Sequence, residues 1–496
     1  MVAIVAGYLW GTCLFDIRPV LFISGFLLLI LAAAMAVPMA VDLVGQKTQW
    51  HAFLMSGLLT AFVGCALILG NLSPRGVSLS VREAFALTVA AWLLTGVMAA
   101  VPFAQSSLHL SWTDSLFESF SGLTTTGATV LTGLDHMPSA ILMWRALLQW
   151  LGGVGIIVTA VALLPILRIG GMQLFRMESS DKTHKTKARI SQIAWGILGV
   201  YSAFTVALTL ALHLTGMTPL EAACHAMSSI STGGFSTSDR SLGNFSDGAR
   251  WICMLGMLLG GATFSQYLFP WKGRHHLGIW QDSQFRWYLS TIAFFALLLT
   301  FWNWAVGDMT AYHALRASAF NVVSLLSTTG FHTDDYNSWG GFAEVVFFFL
   351  AFVGGCTGST AGGIKIFRYE VLFAMAGNHL KRLLHPNGVF IIDFNHQKVS
   401  DVVVRSVLSF MMLYFFCFAL LALGLSMTGL DAVTSLSGAA AAIGNVGPGL
   451  GTQIGPGGNY HGLPDMAKWL LTFGMLLGRL ELAPLIILFT SAFWRE

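Results

Sequence analysis

The segment SLLSTTGFHTDD, residues 324–335, sets two threonines and a glycine between long apolar stretches, and three other segments do much the same. They are GLTTTGATVL at 122–131, SISTGGFSTSD at 229–239 and AIGNVGPGLG at 442–451. Superposed on Gly127, Gly233, Gly330 and Gly447, they recur about every 100 residues. Backbone carbonyls and threonine or serine hydroxyls are neutral oxygens, which can replace the hydration shell of an alkali cation. Glycine allows the backbone to aim carbonyls inward and keeps side chains clear of the passage. Ca²⁺ or Mg²⁺ would call for carboxylates, and none of the four segments has one at its glycine. The candidate ligands are Thr125, Thr126 and Gly127; Ser231, Thr232 and Gly233; Thr328, Thr329 and Gly330; and Asn445, Val446 and Gly447. A tight turn at a span end accounts for one such segment, but not for four at a regular period.

The elements that must hold these segments are membrane spans. Of the 496 residues 55% are hydrophobic and 10% charged, outside the balance of soluble chains. Apolar runs of about 20 residues, enough to cross a hydrocarbon core, occur near 20–40, 51–70, 82–104, 140–168, 190–214, 247–269, 287–306, 341–373, 401–426 and 466–493. Ten spans are expected. Before each polar segment lies a full span and then a run of about a dozen residues, too short to cross. Thr218-Pro219 with Glu221 reads as the N-cap, first helical proline and capping-box acid of such a half-span; Thr113-Asp114, Thr310 and Asp431 take the comparable places. A half-helix entering from outside ends within the membrane, where its unpaired carbonyls favour a cation. The repeating unit is span, half-span, polar loop, span. The chain divides into a two-span region at 1–78 and four units at 79–175, 176–275, 276–395 and 396–496.

Lys and Arg set the orientation. Arg176, Lys182, Lys185, Lys187 and Arg189, then Lys272, Arg274 and Arg286, then Lys381, Arg382 and Lys398 fall in one set of loops, which is cytoplasmic, and both termini are inside. The net charge of +3 reflects this bias and forms no cluster suited to nucleic acid. The opening residues lack the basic start and cleavage site of a signal peptide. Six cysteines, Cys13, Cys65, Cys224, Cys253, Cys356 and Cys417, lie mostly in apolar runs without metal-ligand spacing and read as packing thiols. His225 and His332 either tune proton sensitivity or pack, and Asp334 and Asp335 either concentrate cations at the outer mouth or are solvated loop charges.

A second marker follows each loop in the next span: Gly152-Gly153, Gly260-Gly261, Gly354-Gly355 and Gly478-Arg479. Close helix packing explains the first two. The third lies in EVVFFFLAFVGGCTGSTAGGIKIFRYEVLF, residues 344–373, which as one helix would be about 45 Å long, more than the membrane needs. Gly354, Gly355, Thr357, Gly358, Ser359, Thr360, Gly362 and Gly363 mark a break, placed below the polar loops on the cytoplasmic side. Arg479 lies at a similar depth, where a guanidinium must be paired or wetted; carbonyls and hydroxyls of 355–363, with help from Glu481, can satisfy it, or it snorkels to the interface. Lys365 either binds a phosphate or carboxylate or marks the interface.

The TTTGAT, STGGF, STTGF and NVGPG loops, with GGCTGSTAGGIK and LLGRLE, resemble the Trk/Ktr/HKT superfamily of potassium transporters, and within it the membrane subunits of bacterial Trk systems. The resemblance covers about residues 80 to 496, with the first two spans similar to an extra N-terminal pair. It implies an all-α membrane protein with a pseudo-four-fold, potassium-channel-like pore folded from one chain. It also implies K⁺ bound in a selectivity filter with no other cofactor, a homodimer in membrane lipid of the cytoplasmic (inner) membrane, and a cytoplasmic nucleotide-binding regulatory subunit of the RCK type. The glycine-rich stretch would be an intramembrane gating loop contacted by Arg479. In sodium-selective plant members serine replaces the first filter glycine, so Gly127 points to K⁺, whereas Asn445-Val446 departs from the threonine-rich loop type. A pore permeable to Na⁺ as well as K⁺ is the alternative. A secondary transporter of an organic solute would show inverted halves rather than four same-direction units. No H-E-x-x-H or G-x-S-x-G signature supports an enzyme.

Overall fold

Long apolar runs satisfy their own backbone hydrogen bonds as helices, and the computed structural model, which describes residues 15–47, 49–72, 79–162, 186–268, 278–307, 309–395 and 397–495, is built almost wholly of them. A two-residue hairpin, Asp393–Phe394 against Gln397–Lys398, is the one strand pair among these residues. Seven helices are long and apolar enough to cross a membrane: Arg18–Val44, Trp50–Gly70, Val81–Gln105, Ser139–Ile157, Gln192–Leu214, Ser283–Ala305 and Asp401–Met427. Residues 1–14, Arg176, Lys182, Lys185, Lys272 and Arg274 lie outside the described residues.

The other three expected spans are shorter. Asp247–Gly261 and Asp465–Arg479 stop at their glycine markers after 15 residues each. The third is split into Gly341–Leu350 and Ile366–Leu384, with residues 351–365 non-helical and largely buried between them. The break falls where the glycines and hydroxyl residues cluster.

In chain order the helices used below are α1 (Arg18–Ala34), α2 (Ala36–Val44), α3 (Trp50–Gly70), α4 (Val81–Gln105), α5 (Trp112–Leu123), α6 (Ser139–Ala162), α7 (Thr186–Leu214), α8 (Pro219–Ile230), α9 (Asp247–Gly261), α10 (Ser283–Ala305), α11 (Ala311–Leu326), α12 (Gly341–Leu350), α13 (Ile366–Leu384), α14 (Asp401–Met427), α15 (Ala432–Gly444) and α16 (Asp465–Arg479). The half-helices are α5, α8, α11 and α15. Thr218 caps α8 through the expected box with Glu221, and Asp431 accepts from Thr434 N at 3.1 Å. The Thr434 hydrogen bonds hold the Asp431 carboxyl below its ordinary range. Thr310 takes the N-cap place of α11 without a side-chain bond. In the first unit the cap is Ser111, which accepts from Asp114 N at 3.0 Å, because Ser111 has the extended backbone of a cap and Thr113 is already in the first turn.

Burial is inverted relative to a soluble protein. Phe294, Leu297 and Phe301 of α10 and Met412, Phe416 and Leu423 of α14 are exposed, while threonines, serines and charged residues lie at the centre. Large apolar side chains outside and polar ones inside suit a lipid surround.

Helix α1 packs on α3 through Gly25 and Gly64: a Cβ on Gly64 would stand 2.9 Å from the Gly25 carbonyl oxygen. Gly64→Leu is expected to cost about 1–3 kcal/mol by overpacking. Its melting temperature in detergent should fall below that of Gly70→Leu, whose Cβ has open space.

Candidate functional site: four loops closed into a ring

Each half-helix ends in the same backbone figure. A residue in the left-handed region comes first, Thr125, Thr232, Thr328 or Asn445, at φ between 52° and 58°. Two residues later stands a glycine of positive φ: Gly127 at 84°, Gly234 at 83°, Gly330 at 85° and Gly447 at 96°. The residue between them donates its N–H back into the half-helix, Thr126 to Ser121, Gly233 to Ser228, Thr329 to Ser324 and Val446 to Ala441, at 2.8–2.9 Å. The second loop is therefore one residue out of the register expected from sequence. Its triad is Thr232, Gly233 and Gly234, and Ser231 corresponds to Thr124 and Ser327, the C-caps of α5 and α11. Its hydroxyl turns back onto the Ser228 carbonyl at 3.2 Å. With two adjacent glycines the spacing alone does not say which takes the positive φ; the left-handed Thr232 decides it.

The loops meet in a closed cycle. A Cβ on Gly127 would collide with the Gly233 carbonyl oxygen, one on Gly234 with that of Thr329, and one on Gly330 with that of Val446. On Gly447 it would stand 2.6 Å from the Thr126 oxygen. Carbonyls of 126, 233, 329 and 446 thus line up side by side around one axis, with no room for a side chain. The second spans close in behind them: Cβ atoms on Gly152, Gly260 and Gly478 would strike the carbonyls of Leu123, Ile230 and Ile443, each at the end of its own half-helix. The glycine markers are close-packing positions, as expected for the first two units.

Below the ring, residues 351–365 are held by the second, third and fourth units. Thr360 Oγ1 donates within reach of the Ile230 and Gly260 carbonyls at 3.1 and 3.0 Å and accepts from Thr232 Oγ1 at 3.0 Å. Gly362 N donates to Thr328 Oγ1 at 2.7 Å. Thr357 N donates to Gln284 Oε1, its carbonyl accepts from Thr263 Oγ1, and Gly358 O accepts from Phe264 N. Ser359 Oγ bonds the Cys356 carbonyl at 2.5 Å. Gly354, Gly358 and Gly363 take positive φ, whereas Gly355 and Gly362 are needed for space: Cβ atoms there would stand 2.8 Å from the Gly261 oxygen and 2.5 Å from that of Gly444.

Arg479 is 2% exposed and does not snorkel. Its Nη1 donates to Thr360 O at 2.8 Å and its Nη2 to Gly152 O at 3.1 Å. Glu481 does not assist it. That carboxylate instead pairs with Arg368 at 2.5 Å and Lys365 at 3.4 Å, so Lys365, at φ 73° on the last residue of the loop, has an internal partner. The Arg368 guanidinium also lies 3.7 Å from the centre of the Phe410 ring.

Sequence reasoning missed Arg368 and a second buried pair. Glu118 in α5 meets Arg145 in α6 at 2.7 Å, both almost fully buried. The carboxylate also accepts from Thr129 Oγ1 and Val130 N, each at 3.0 Å. Arg145 Nη1 donates to Ser236 O at 2.9 Å, and its guanidinium lies over Phe235. The pair braces the outer ends of the first two loops. Glu118 stands nine residues before Gly127, and His225 and Asn321 stand nine before Gly234 and Gly330. His225 likewise reaches Ser236 Oγ at 2.9 Å, a packing role. The available signal was a charge inside each apolar run, which demands a partner. Asp335 caps the short turn at 336–339, and Asp334 faces His313 at 3.5 Å. Among the described cysteines all are free; Cys224, Cys253 and Cys356 are buried, and Cys65 is exposed on α3.

Residues 52–495 match the TrkH family model, described as cation transport protein. The chain belongs to the TrkH cation transport family. Trk system potassium uptake protein TrkI of Halomonas elongata is 42% identical over 96% of this chain and 97% of its own. TrkH of Escherichia coli is 38% identical over 97% and 99%. The crystal structure of the potassium transporter TrkH from Vibrio parahaemolyticus superposes with a TM-score of 0.89 at 35% identity, covering 97% of this chain and all of that one. Membership in a family of transport proteins accords with the expected non-enzymatic role, and the fold is the TrkH fold.

Breaking the Glu118–Arg145 pair should be costly. Glu118→Gln is expected to destabilise the protein by roughly 3–5 kcal/mol by leaving a buried guanidinium without its counter-charge. Glu118→Gln combined with Arg145→Met should recover part of that loss, checked by thermal unfolding in detergent.

Proposed function

We propose that this TrkH-family protein takes up K⁺ across the cytoplasmic membrane through the ring of four loops, with residues 351–365 as its gate. The closed cycle of glycines and carbonyls carries the reading. Four neutral oxygens at one level, with side chains excluded by the packing at Gly127, Gly234, Gly330 and Gly447, suit a monovalent cation stripped of water. The C-terminal ends of α5, α8, α11 and α15 converge on the same place and add the negative ends of four dipoles. An interior-negative potential supplies about 2.3 kcal/mol per inward charge at 100 mV, so uptake needs no chemical step within the chain.

The gate reading rests on position and bonding. The loop lies against the inner faces of Thr232, Thr328 and Asn445 and is pinned by Arg479. A backbone held by many side-chain bonds, rather than by a helix ladder, can be released in discrete steps. Opening would be driven from the cytoplasmic side by the regulatory subunit of a Trk system, acting on a homodimer with both termini inside. The lysine- and arginine-rich loops support that orientation. Passage of Na⁺ beside K⁺ remains the alternative, favoured by the fourth loop, where Asn445 Nδ2 is spent on Thr126 Oγ1 and Met475 O.

Gly330→Ser places a Cβ against the Val446 carbonyl. Radioactive Rb⁺ and Na⁺ influx into proteoliposomes should show the Rb⁺/Na⁺ ratio falling about tenfold, equivalent to roughly 1.4 kcal/mol. A wild type that carries neither ion would sink the filter reading. Thr360→Val removes the hydroxyl that binds Ile230, Gly260 and Thr232. Basal Rb⁺ influx should rise several-fold, and deletion of 356–361 should raise it further; unchanged influx in both would argue against a gate.

A further inference from the structure

We infer that Gln149 is a positioning residue for cation discrimination: from the second span of the first unit it holds one carbonyl of the ring in the neighbouring unit. The inference rests on the filter reading above and extends it to a residue behind the loops.

Gln149 is fully buried on α6. Its Oε1 accepts from Phe235 N at 3.1 Å and from Ser228 Oγ at 2.7 Å. Its Nε2 donates to Gly233 O at 2.6 Å. The amide cannot be turned over, because the Phe235 N–H is a donor and requires the oxygen on its side. The nitrogen therefore faces the Gly233 carbonyl, the one that lies beside Gly127 in the cycle. Among the described residues the matching carbonyls of Thr126, Thr329 and Val446 carry no side-chain donor.

The arrangement is peculiar to one unit. Gln149 stands three residues before Gly152, and the corresponding places before Gly260 and Gly478 hold Met257 and Met475, which have no N–H to offer. Gly233 also has no side chain of its own to brace it; the space a Cβ would take is filled by the Gln149 amide. Two consecutive glycines make the second loop the one with the most backbone freedom, and two hydrogen bonds between that loop and one buried amide, itself anchored on Ser228 of α8, remove that freedom. A carbonyl held at fixed distance from the axis resists closing around a cation smaller than K⁺. Released, the second loop can follow Na⁺ inward.

The test compares wild type, Gln149→Met and Ser228→Ala as full chains in proteoliposomes, with Rb⁺ and Na⁺ influx measured in parallel and folding checked by size-exclusion profile. Gln149→Met installs the side chain of the corresponding positions and removes the donor to Gly233. Ser228→Ala removes one bond on the oxygen side and leaves that donor in place. Gln149→Met should lower the Rb⁺/Na⁺ ratio about tenfold, with Ser228→Ala within about twofold of wild type, given the ordinary worth of one hydrogen bond. A ratio that stays or rises in Gln149→Met, or falls equally in both variants, overturns the inference. So does loss of both fluxes alike in Gln149→Met, which would mark a purely structural residue. A wild type without alkali-cation flux would overturn the filter reading and this inference together.

Discussion

Irregular backbone cannot face hydrocarbon, and this chain places four irregular segments at membrane depth. None of them is stable alone. Each loop leaves carbonyls without a helical partner, and each glycine is in van der Waals contact only because the next loop supplies a carbonyl to fill the space. The solution is a cycle, and a cycle needs all four units. The close approach of the second spans follows from the same constraint: Gly152, Gly260 and Gly478 bring those helices against the carbonyls at the half-helix ends, so that protein rather than lipid surrounds them.

Buried charge is arranged around the same ring. An ion pair in a low-dielectric interior is favourable only when further hydrogen bonds satisfy both partners, a condition that the Glu118–Arg145 pair meets and the Glu481 cluster meets only in part, since Glu481 Oε1 and Lys365 Nζ make no hydrogen bond among the described residues. Glu118 and Arg145 spend their remaining capacity on Thr129, Val130 and Ser236, outside the ring. Glu481 serves two cations, Lys365 and Arg368, at the point where the loop 351–365 returns to helix. Arg479 has no carboxylate and is held by two backbone carbonyls from different units. Its bonds therefore depend on the loop keeping its present path, whereas those of Glu118 do not.

Much of this was legible in the residues. The period of the polar loops, the capped half-helices, the break in the third unit and the depth of Arg479 all follow from apolar run lengths, cap residues and glycine clusters. What escaped depends on partners distant in sequence, mostly between units and, for Glu118 and Arg145, between two helices of one unit. The register of STGGF turns on which glycine backs onto Thr329, a neighbour 95 or more residues away in sequence. Glu481 is next but one to Arg479, yet the helix ends between them and Glu481 and Leu482 take positive φ, turning the carboxylate toward α13. The helices of the second and fourth units end sooner than their hydropathy suggests because the backbone turns at residues 262–263 and 480–482, which stay buried without being helical.

The four units share a backbone figure but not its chemistry, and the differences cluster on the inner side. Thr125, Thr232 and Thr328 occupy one rung, yet Thr232 and Thr328 are bonded to Thr360 and Gly362 of the loop 351–365, and at the fourth place Asn445 ties itself to Thr126 and Met475. The innermost rung and the loop beneath it thus use the same oxygens. A hydroxyl that accepts from Gly362 N is oriented by that bond, so the position of residues 360–362 and the geometry of the rung are set together. Strict four-fold symmetry would have left the rung independent of anything below it. Breaking the helix of the third unit over 351–365, and bonding the freed segment to Thr328 of that unit and Thr232 of the neighbouring one, is what links the two levels.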